Sequence, residues 1–145
     1  MIVVDASVLA SALGDDGDDG DQARQRLSRE TLAAPELIDL EVSSVLRRLL
    51  LGGRLPPRRA ELAMSDLADL PLRRVSHRSL LPRCWNLREN LTIYDASYVA
   101  LAEQLETIVV TADARLSRAP GLRCKVEVMT RTARRGTPGM PDRSP

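Results

Sequence analysis

Two short runs of β-branched residues, each followed by an aspartate, constrain the fold of this chain most strongly. The chain begins with MIVVDASVLA, in which Asp5 follows an apolar run, and Asp113 follows a second run in TIVVTADARL. Runs that are apolar at every position are typical of strands buried on both faces, as in parallel sheets. Helical patterns separate the runs. The sequence therefore predicts an α/β fold, with three layers and a central sheet flanked by helices.

The remaining elements follow from periodicity and from turn residues. The pattern predicts about five strands in a mostly parallel sheet, at residues 1–5, 31–35, 71–76, 107–112 and 123–129. It predicts helices at residues 6–13, 22–30, 36–51, 55–70, 77–90 and 92–106, the fifth of them interrupted at Pro82. The acidic stretch 14–21 is expected to be a solvated loop, with Asp21 capping the next helix. It lacks the final glutamate of a calcium-binding loop.

The size of the chain indicates one domain. Its 145 residues divide into a globular domain, residues 1–130, and a basic, disordered tail, residues 131–145, which is rich in Pro and Gly. The tail holds four Arg and one Asp, a net charge of +3, so residues 1–130 carry −2. We find no signal peptide and no apolar run near the roughly 18 residues of a membrane span. We therefore expect a cytoplasmic protein with no membrane attachment.

Two acidic residues follow strands and are expected at the same edge of the sheet. In an open parallel sheet, ligands bind beyond the carboxyl ends of the strands, and Asp5 and Asp113 fall there. Each aspartate also precedes a helical stretch, so the simpler interpretation of either one alone is a helix N-cap. The two interpretations are compatible, because a residue in the first turn can cap a helix and bind a ligand.

Two further acidic residues lie on predicted helices. Asp95 comes three residues after Thr92, a capping-box spacing that puts its carboxylate in the first turn, where the helix dipole favours negative charge. Glu41 borders the apolar face of its helix, beside Arg48. It could be an exposed residue at the rim, a partner of Arg48, or a metal ligand at the edge of the sheet.

Together these carboxylates suggest a metal site. Like charges raise each other's pKa, so a cluster of acids is best explained by a cation that neutralises it. Cys84 and Cys124 are isolated and expected to be unpaired thiols, and neither forms a zinc-binding motif. A site with only oxygen ligands selects Mg²⁺ or Mn²⁺, and such sites hydrolyse phosphodiester bonds without a protein nucleophile.

Four motifs in this order resemble the PIN-domain ribonucleases, and most closely the VapC-type toxins of bacterial toxin–antitoxin pairs. They are VVDASVL, PELIDLEVSSVLRR, TIYDASYVALAE and VVTADARLSRAPGL, and the resemblance spans residues 1–129. It implies a PIN-like three-layer nuclease domain. It also implies an acidic quartet that is both catalytic and metal-binding, formed by Asp5, Glu41, Asp95 and Asp113.

The resemblance carries further expectations about residues and partners. Ser7 and Thr111 match small hydroxyl positions that support the site. Some family members have another acid where this chain has Arg115, which leaves open whether one metal ion or two are bound. The family implies a homodimer, and a hetero-oligomer with a cognate antitoxin whose arginine can enter the acidic site. It also implies an RNA substrate, often tRNA or ribosomal RNA.

We therefore predict a metal-dependent endoribonuclease, with Arg47, Arg48 and Arg115 as candidate contacts to RNA; solvated helix faces are the alternative for these arginines. The chain has no Phe and only three other aromatic residues, so a base-stacking platform is hard to build. The alternative function is a catalytically weak binding module that captures a basic partner segment in its acidic pocket. A phosphate-receiver domain is a third possibility, for which Lys125 is the only lysine in the chain.

Overall fold

A computed structural model describes residues 1–132, and in them five strands form one parallel sheet. The strands are β1 (Ile2–Val4), β2 (Leu32–Pro35), β3 (Leu72–Val75), β4 (Val109–Thr111) and β5 (Val126–Val128). Their order across the sheet is β3-β2-β1-β4-β5, and every neighbouring pair is parallel. The predicted three-layer α/β fold with about five strands is confirmed. From residue 133 onward, the predicted disordered tail lies outside the described residues.

Helices cover both faces of this sheet. They are α1 (Ala6–Gly14), α2 (Asp18–Leu27), α3 (Ile38–Leu51), α4 (Pro57–Asp69), α5 (Leu81–Asn86), α6 (Ile93–Gln104) and α7 (Ala114–Ser117). Helix α1 packs against α2, α3 and α4, whereas α6 packs against β1, β2 and β4. Seven consecutive residues of α6, 96–102, are buried, so this helix belongs to the core all round. Within the described part of the chain, no helix is long and apolar enough to cross a membrane.

Strand β1 lies in the middle of the sheet. Val3 pairs with Ala33 of β2 on one side and with Val109 of β4 on the other, and all three are fully buried. The chain builds the sheet outward from β1 through β2 and β3, then returns to β1 and continues through β4 and β5. The carboxyl ends of β1 and β4 therefore flank the point where the strand order reverses, which is where open α/β sheets bind ligands.

The sequence prediction was wrong about the acidic loop. Helix α2 begins at Asp18 and not at residue 22, so Asp21 lies inside its first turn and does not cap it. Aspartates in a first turn are stabilised by the helix dipole, which makes this polar stretch a good helix start. Gly20 also permits a close approach, since an added Cβ would lie 1.7 Å from the backbone oxygen of Asp15.

Pro82 also differs from expectation. It lies in the first turn of α5, directly after a 3₁₀ turn at His77–Leu80, where proline is tolerated because its missing N–H has no helical partner. It therefore starts a helix there and does not interrupt one.

Candidate active site

An acidic cleft of about 440 Å³ opens at the carboxyl ends of β1 and β4. Four separate elements deliver its carboxylates: Asp5 follows β1, Glu41 lies on α3, Asp95 lies in the first turn of α6, and Asp113 follows β4. The structure thus brings together all four acids that the sequence singled out, although they span more than 100 positions of the chain.

Hydroxyl groups hold the Asp5 carboxylate in place. Asp5 occupies the N-cap position of α1, yet within residues 1–132 no amide of that helix donates to its side chain. Instead, its Oδ2 accepts hydrogen bonds from the Ser7 hydroxyl at 2.8 Å and from the Thr111 hydroxyl at 2.7 Å. The interpretation of this side chain as a helix cap was therefore wrong. The other oxygen, Oδ1, accepts no hydrogen bond from the described residues, and Asp5 lines the cleft.

Thr111 connects two of the acidic residues. This fully buried residue donates to Asp5, and its oxygen accepts a hydrogen bond from the backbone N–H of Asp113 at 3.0 Å. Ser7 supports the same corner, since its oxygen accepts from the backbone N–H of Ala112 at 3.1 Å. The end of β4 is thereby fixed to the end of β1.

Replacing Thr111 by Val should test this link. The two side chains have the same shape, so the variant removes two hydrogen bonds and leaves the Asp113 amide without its partner. We expect the free energy of unfolding to fall by about 1–3 kcal/mol, measured by urea denaturation. Thr111→Ser retains the hydroxyl and should lose less than half as much. A Val variant as stable as the wild type would contradict the assignment.

Tyr98 sets the position of Glu41. The Tyr98 side chain is buried in α6, and its hydroxyl donates to Oε1 of Glu41 at 3.1 Å. Glu41 is therefore bonded to Tyr98. Arg48, which the sequence had left open as its partner, does not bond to it in the described residues. Burial raises the pKa of Glu41, the Tyr98 hydrogen bond works against it, and the charges of Asp5 and Asp95 raise it further.

Asp95 occupies the predicted first-turn position. The Thr92 hydroxyl accepts the backbone N–H of Asp95 at 3.1 Å, so the predicted cap by Thr92 is confirmed. Burial raises the pKa of Asp95, and the charge of Asp5 adds to this rise. Asp95 and Tyr98 are three residues apart and lie on the same face of α6.

Among the described residues, Asp113 is the one carboxylate of the cleft that has a cationic partner. It caps α7 by accepting the backbone N–H of Arg115 at 2.9 Å, as the sequence predicted. The Arg115 guanidinium also donates to both carboxylate oxygens, at 3.1 Å and 3.0 Å. The hydrogen bond to the Arg115 side chain lowers the pKa of Asp113.

The donors in this cleft suit a hard divalent cation. No group of three or more acidic, histidine or cysteine side chains in residues 1–132 forms a ready-made metal cage. However, Asp5, Glu41 and Asp95 line one cleft, and the charge of Asp5 adds to the burial that raises the pKa of the other two acids. Carboxylate oxygens are the ligands that Mg²⁺ and Mn²⁺ prefer.

The structure separates the other candidate residues. Arg48 lines the cleft, whereas Arg47 is exposed on α3 and lies outside the lining defined by the described residues. Lys125 precedes β5 and therefore lies at the amino end of the sheet, opposite the carboxylates. A phosphate-receiver arrangement, which needs a lysine beside the acidic site, is not supported.

Sequence reasoning missed the apolar wall of the cleft. Leu40 and Tyr94 line it and are 74% and 66% exposed. Both stand next to an acidic site residue in the sequence, one before Glu41 and the other before Asp95. That adjacency is a signal that could have been used. One aromatic face is therefore present at the site, although the chain has few aromatic residues.

Comparisons with known proteins agree with this geometry. Residues 2–122 match the PIN domain family. Ribonuclease VapC9 of Mycobacterium tuberculosis is 44% identical over 131 residues, which cover 90% of this chain and 100% of that protein. The structure of VapC20 of Mycobacterium tuberculosis, a sarcin–ricin loop cleaving toxin, matches with a TM-score of 0.65 at 16% identity, over 81% of this chain and 94% of that one. VapBC2 from Rickettsia felis, solved with a DNA fragment from its promoter, matches with a TM-score of 0.60 at 13% identity, over 87% and 98%.

This chain belongs to the PIN-domain family. The assignment rests on the family match over residues 2–122 and agrees with the parallel sheet, which has acidic residues where the strand order reverses. Its identity to full-length relatives places it more narrowly, among the VapC-type members of that family. The resemblance found in the four sequence motifs is thus confirmed.

Proposed function

We propose that this chain is a metal-dependent endoribonuclease, the toxin of a type II toxin–antitoxin pair, which hydrolyses RNA phosphodiester bonds. The observation that carries the proposal is the cleft that Asp5, Glu41, Asp95 and Asp113 line together, where no cationic side chain of the described residues bonds to the first three acids. The relatives named as ribonucleases, which align along nearly the whole chain, support the same activity.

Asp5, Glu41, Asp95 and Asp113 are the residues that would hold the metal. A bound Mg²⁺ or Mn²⁺ supplies a Lewis acid for the phosphoryl oxygens and makes water more acidic. Ser7 and Thr111 keep the Asp5 carboxylate in one orientation by donating to the same oxygen. In this proposal they are supporting residues and do not contact the substrate.

Glu41 is suited to accept a proton from the attacking water. Tyr98 binds its Oε1, so Oε2 is the atom that would take the proton. In this role Glu41 would position the attacking water, which is the alternative to holding the metal ion directly.

The walls of the cleft suit a nucleotide chain. Arg48 would contact a phosphate next to the cleaved bond, and Arg47 and Arg115 would contact phosphates farther out. Tyr94 and Leu40 offer an aromatic and an aliphatic surface on which an unpaired base could stack. A structured RNA with an exposed loop, such as tRNA or ribosomal RNA, is the proposed substrate class.

We further propose a homodimer that associates with a cognate antitoxin in the cytoplasm. The Rickettsia VapBC2 structure supports the expectation of an antitoxin partner, because that complex has the same fold in its toxin subunit. A basic antitoxin segment is favoured by charge, since a guanidinium can neutralise the carboxylates of the cleft.

The test is cleavage of RNA by the protein purified free of any antitoxin. We expect defined cuts in total cellular RNA with Mg²⁺ or Mn²⁺, and loss of cleavage when EDTA is added. Cleavage that persists in EDTA would contradict the metal dependence. Antitoxin binding without cleavage of any RNA would instead favour the binding-module alternative, in which Asp113 already holds an arginine and the remaining acids capture a basic segment.

A further inference from the structure

The side chain of Arg115 binds both carboxylate oxygens of Asp113, one of the acidic residues of the cleft. Its Nε lies 3.1 Å from Oδ1 of Asp113 and its Nη2 lies 3.0 Å from Oδ2, so the guanidinium fork covers both oxygens. The fourth carboxylate of the site is therefore engaged by a cation that the chain itself provides. Asp5, Glu41 and Asp95 have no such arginine partner among the described residues.

The side chain of Arg115 is not needed to build this part of the fold. It is 86% exposed, and the helix cap depends on its backbone N–H, which donates to Asp113 at 2.9 Å whatever the side chain is. The two hydrogen bonds from the guanidinium are thus additional to a cap of helix α7 that is already complete without them. Its direct effect is on the availability of the Asp113 oxygens.

We propose that Arg115 is an internal counter-cation of Asp113 that competes with a divalent metal ion for this carboxylate. A metal ion can use Asp113 only after the guanidinium releases at least one oxygen. Arg115 thereby weakens metal binding. While it holds Asp113, only Asp5, Glu41 and Asp95 are left to hold a cation. This inference rests on the metal site of the proposed function and adds a residue that sets its affinity.

The experiment measures Mn²⁺ binding to the full chain by isothermal titration calorimetry, without RNA. Arg115→Ala and Arg115→Gln remove the fork and leave the cap, and thermal unfolding should show unchanged folding. Because an exposed ion pair is weak, we expect Mn²⁺ to bind about two- to fivefold more tightly to both variants than to the wild type. Arg118→Ala is the matched control, since Arg118 is an exposed arginine near Asp113 that does not bond to it in the described residues.

The Asp5→Asn variant distinguishes a failure of the proposed metal site from a failure of the proposed role of Arg115. If the wild type binds Mn²⁺ and Asp5→Asn does not, the metal site stands. Unchanged or weaker binding by Arg115→Ala, or an equal gain in Arg118→Ala, then overturns the role of Arg115 alone. If neither the wild type nor Arg115→Ala binds Mn²⁺, or if Asp5→Asn binds it as well as the wild type does, the metal site and the role of Arg115 are both overturned.

Discussion

Replacing Asp95 by Asn is expected to reduce RNA cleavage by at least about 100-fold while leaving the folded protein as stable as the wild type or more stable. The activity should fall because the proposed metal site would lose a charged oxygen ligand, and such ligands contribute several kcal/mol to transition-state stabilisation. The stability does not fall, because burial and the charge of Asp5 raise the pKa of Asp95. A raised pKa means that the folded state disfavours the ionised carboxylate, and Asn removes that charge.

The measurement pairs cleavage rates of a defined RNA with thermal unfolding in metal-free buffer. Asp5→Asn should show a loss of cleavage of similar size. Asp66→Asn, the same change at an exposed position of α4, should keep both cleavage and unfolding temperature. An Asp95→Asn protein that cleaves RNA at the wild-type rate would eliminate Asp95 from the mechanism, and one that is clearly less stable would show that the repulsion is absent.

Replacing Arg83 by Ala is expected to produce the largest loss of stability of any single charge removal on the surface. Arg83 donates to both oxygens of Glu103, at 2.7 Å and 3.1 Å, and also to the backbone oxygen of Gly121 at 2.8 Å. The two side chains are only 20% and 11% exposed. Removing the arginine leaves a shielded carboxylate with a single donor, the backbone N–H of Arg123. We expect a loss of about 2 kcal/mol in the free energy of unfolding.

This loss should depend on pH. Burial opposes ionisation of Glu103, but the hydrogen bonds from Arg83 and from the backbone of Arg123 outweigh it and lower its pKa. The stabilisation is therefore complete above the ordinary value of 4.5 and disappears as the pH falls through the lower pKa of the folded state. The difference in urea denaturation between the two proteins should be largest at pH 7 and should shrink in acid to what the Gly121 hydrogen bond contributes. Arg78→Ala, at an exposed position, should match the wild type throughout; a constant difference at every pH would exclude Glu103 as the cause.

The grouping of the acids was accessible from the sequence because strand ends are easy to recognise. Continuous β-branched runs mark buried parallel strands, and residues that follow them must meet at one edge of the sheet. This reasoning placed Asp5 beside Asp113, and the capping pattern placed Asp95 at the start of its helix. The roles of these residues in metal binding and catalysis stay predictions.

Other details depend on contacts between distant elements, which local patterns do not contain. Nothing near Glu41 in the chain indicates that a tyrosine of α6 holds it, because Tyr98 lies 57 positions away. The family resemblance pointed to Ser7 and Thr111 as supporting residues, but only the packed sheet shows that their hydroxyls, and not the helix amides, donate to Asp5. The start of helix α2 was placed four residues too late because its first turn consists of aspartates and a glycine, which resemble a loop in sequence.

The position of β1 in the middle of the sheet has a consequence for synthesis. Asp5 is synthesised early, and its neighbour Thr111 and its companion Asp113 are made more than 100 residues later. At about 5–20 residues per second, the nascent chain spends roughly 5–20 s with its central strand unpaired on one side. The four carboxylates cannot meet until almost the whole domain has been made. A chain interrupted before β4 would therefore lack Asp113, and the proposed nuclease activity could arise only from chains synthesised beyond that residue.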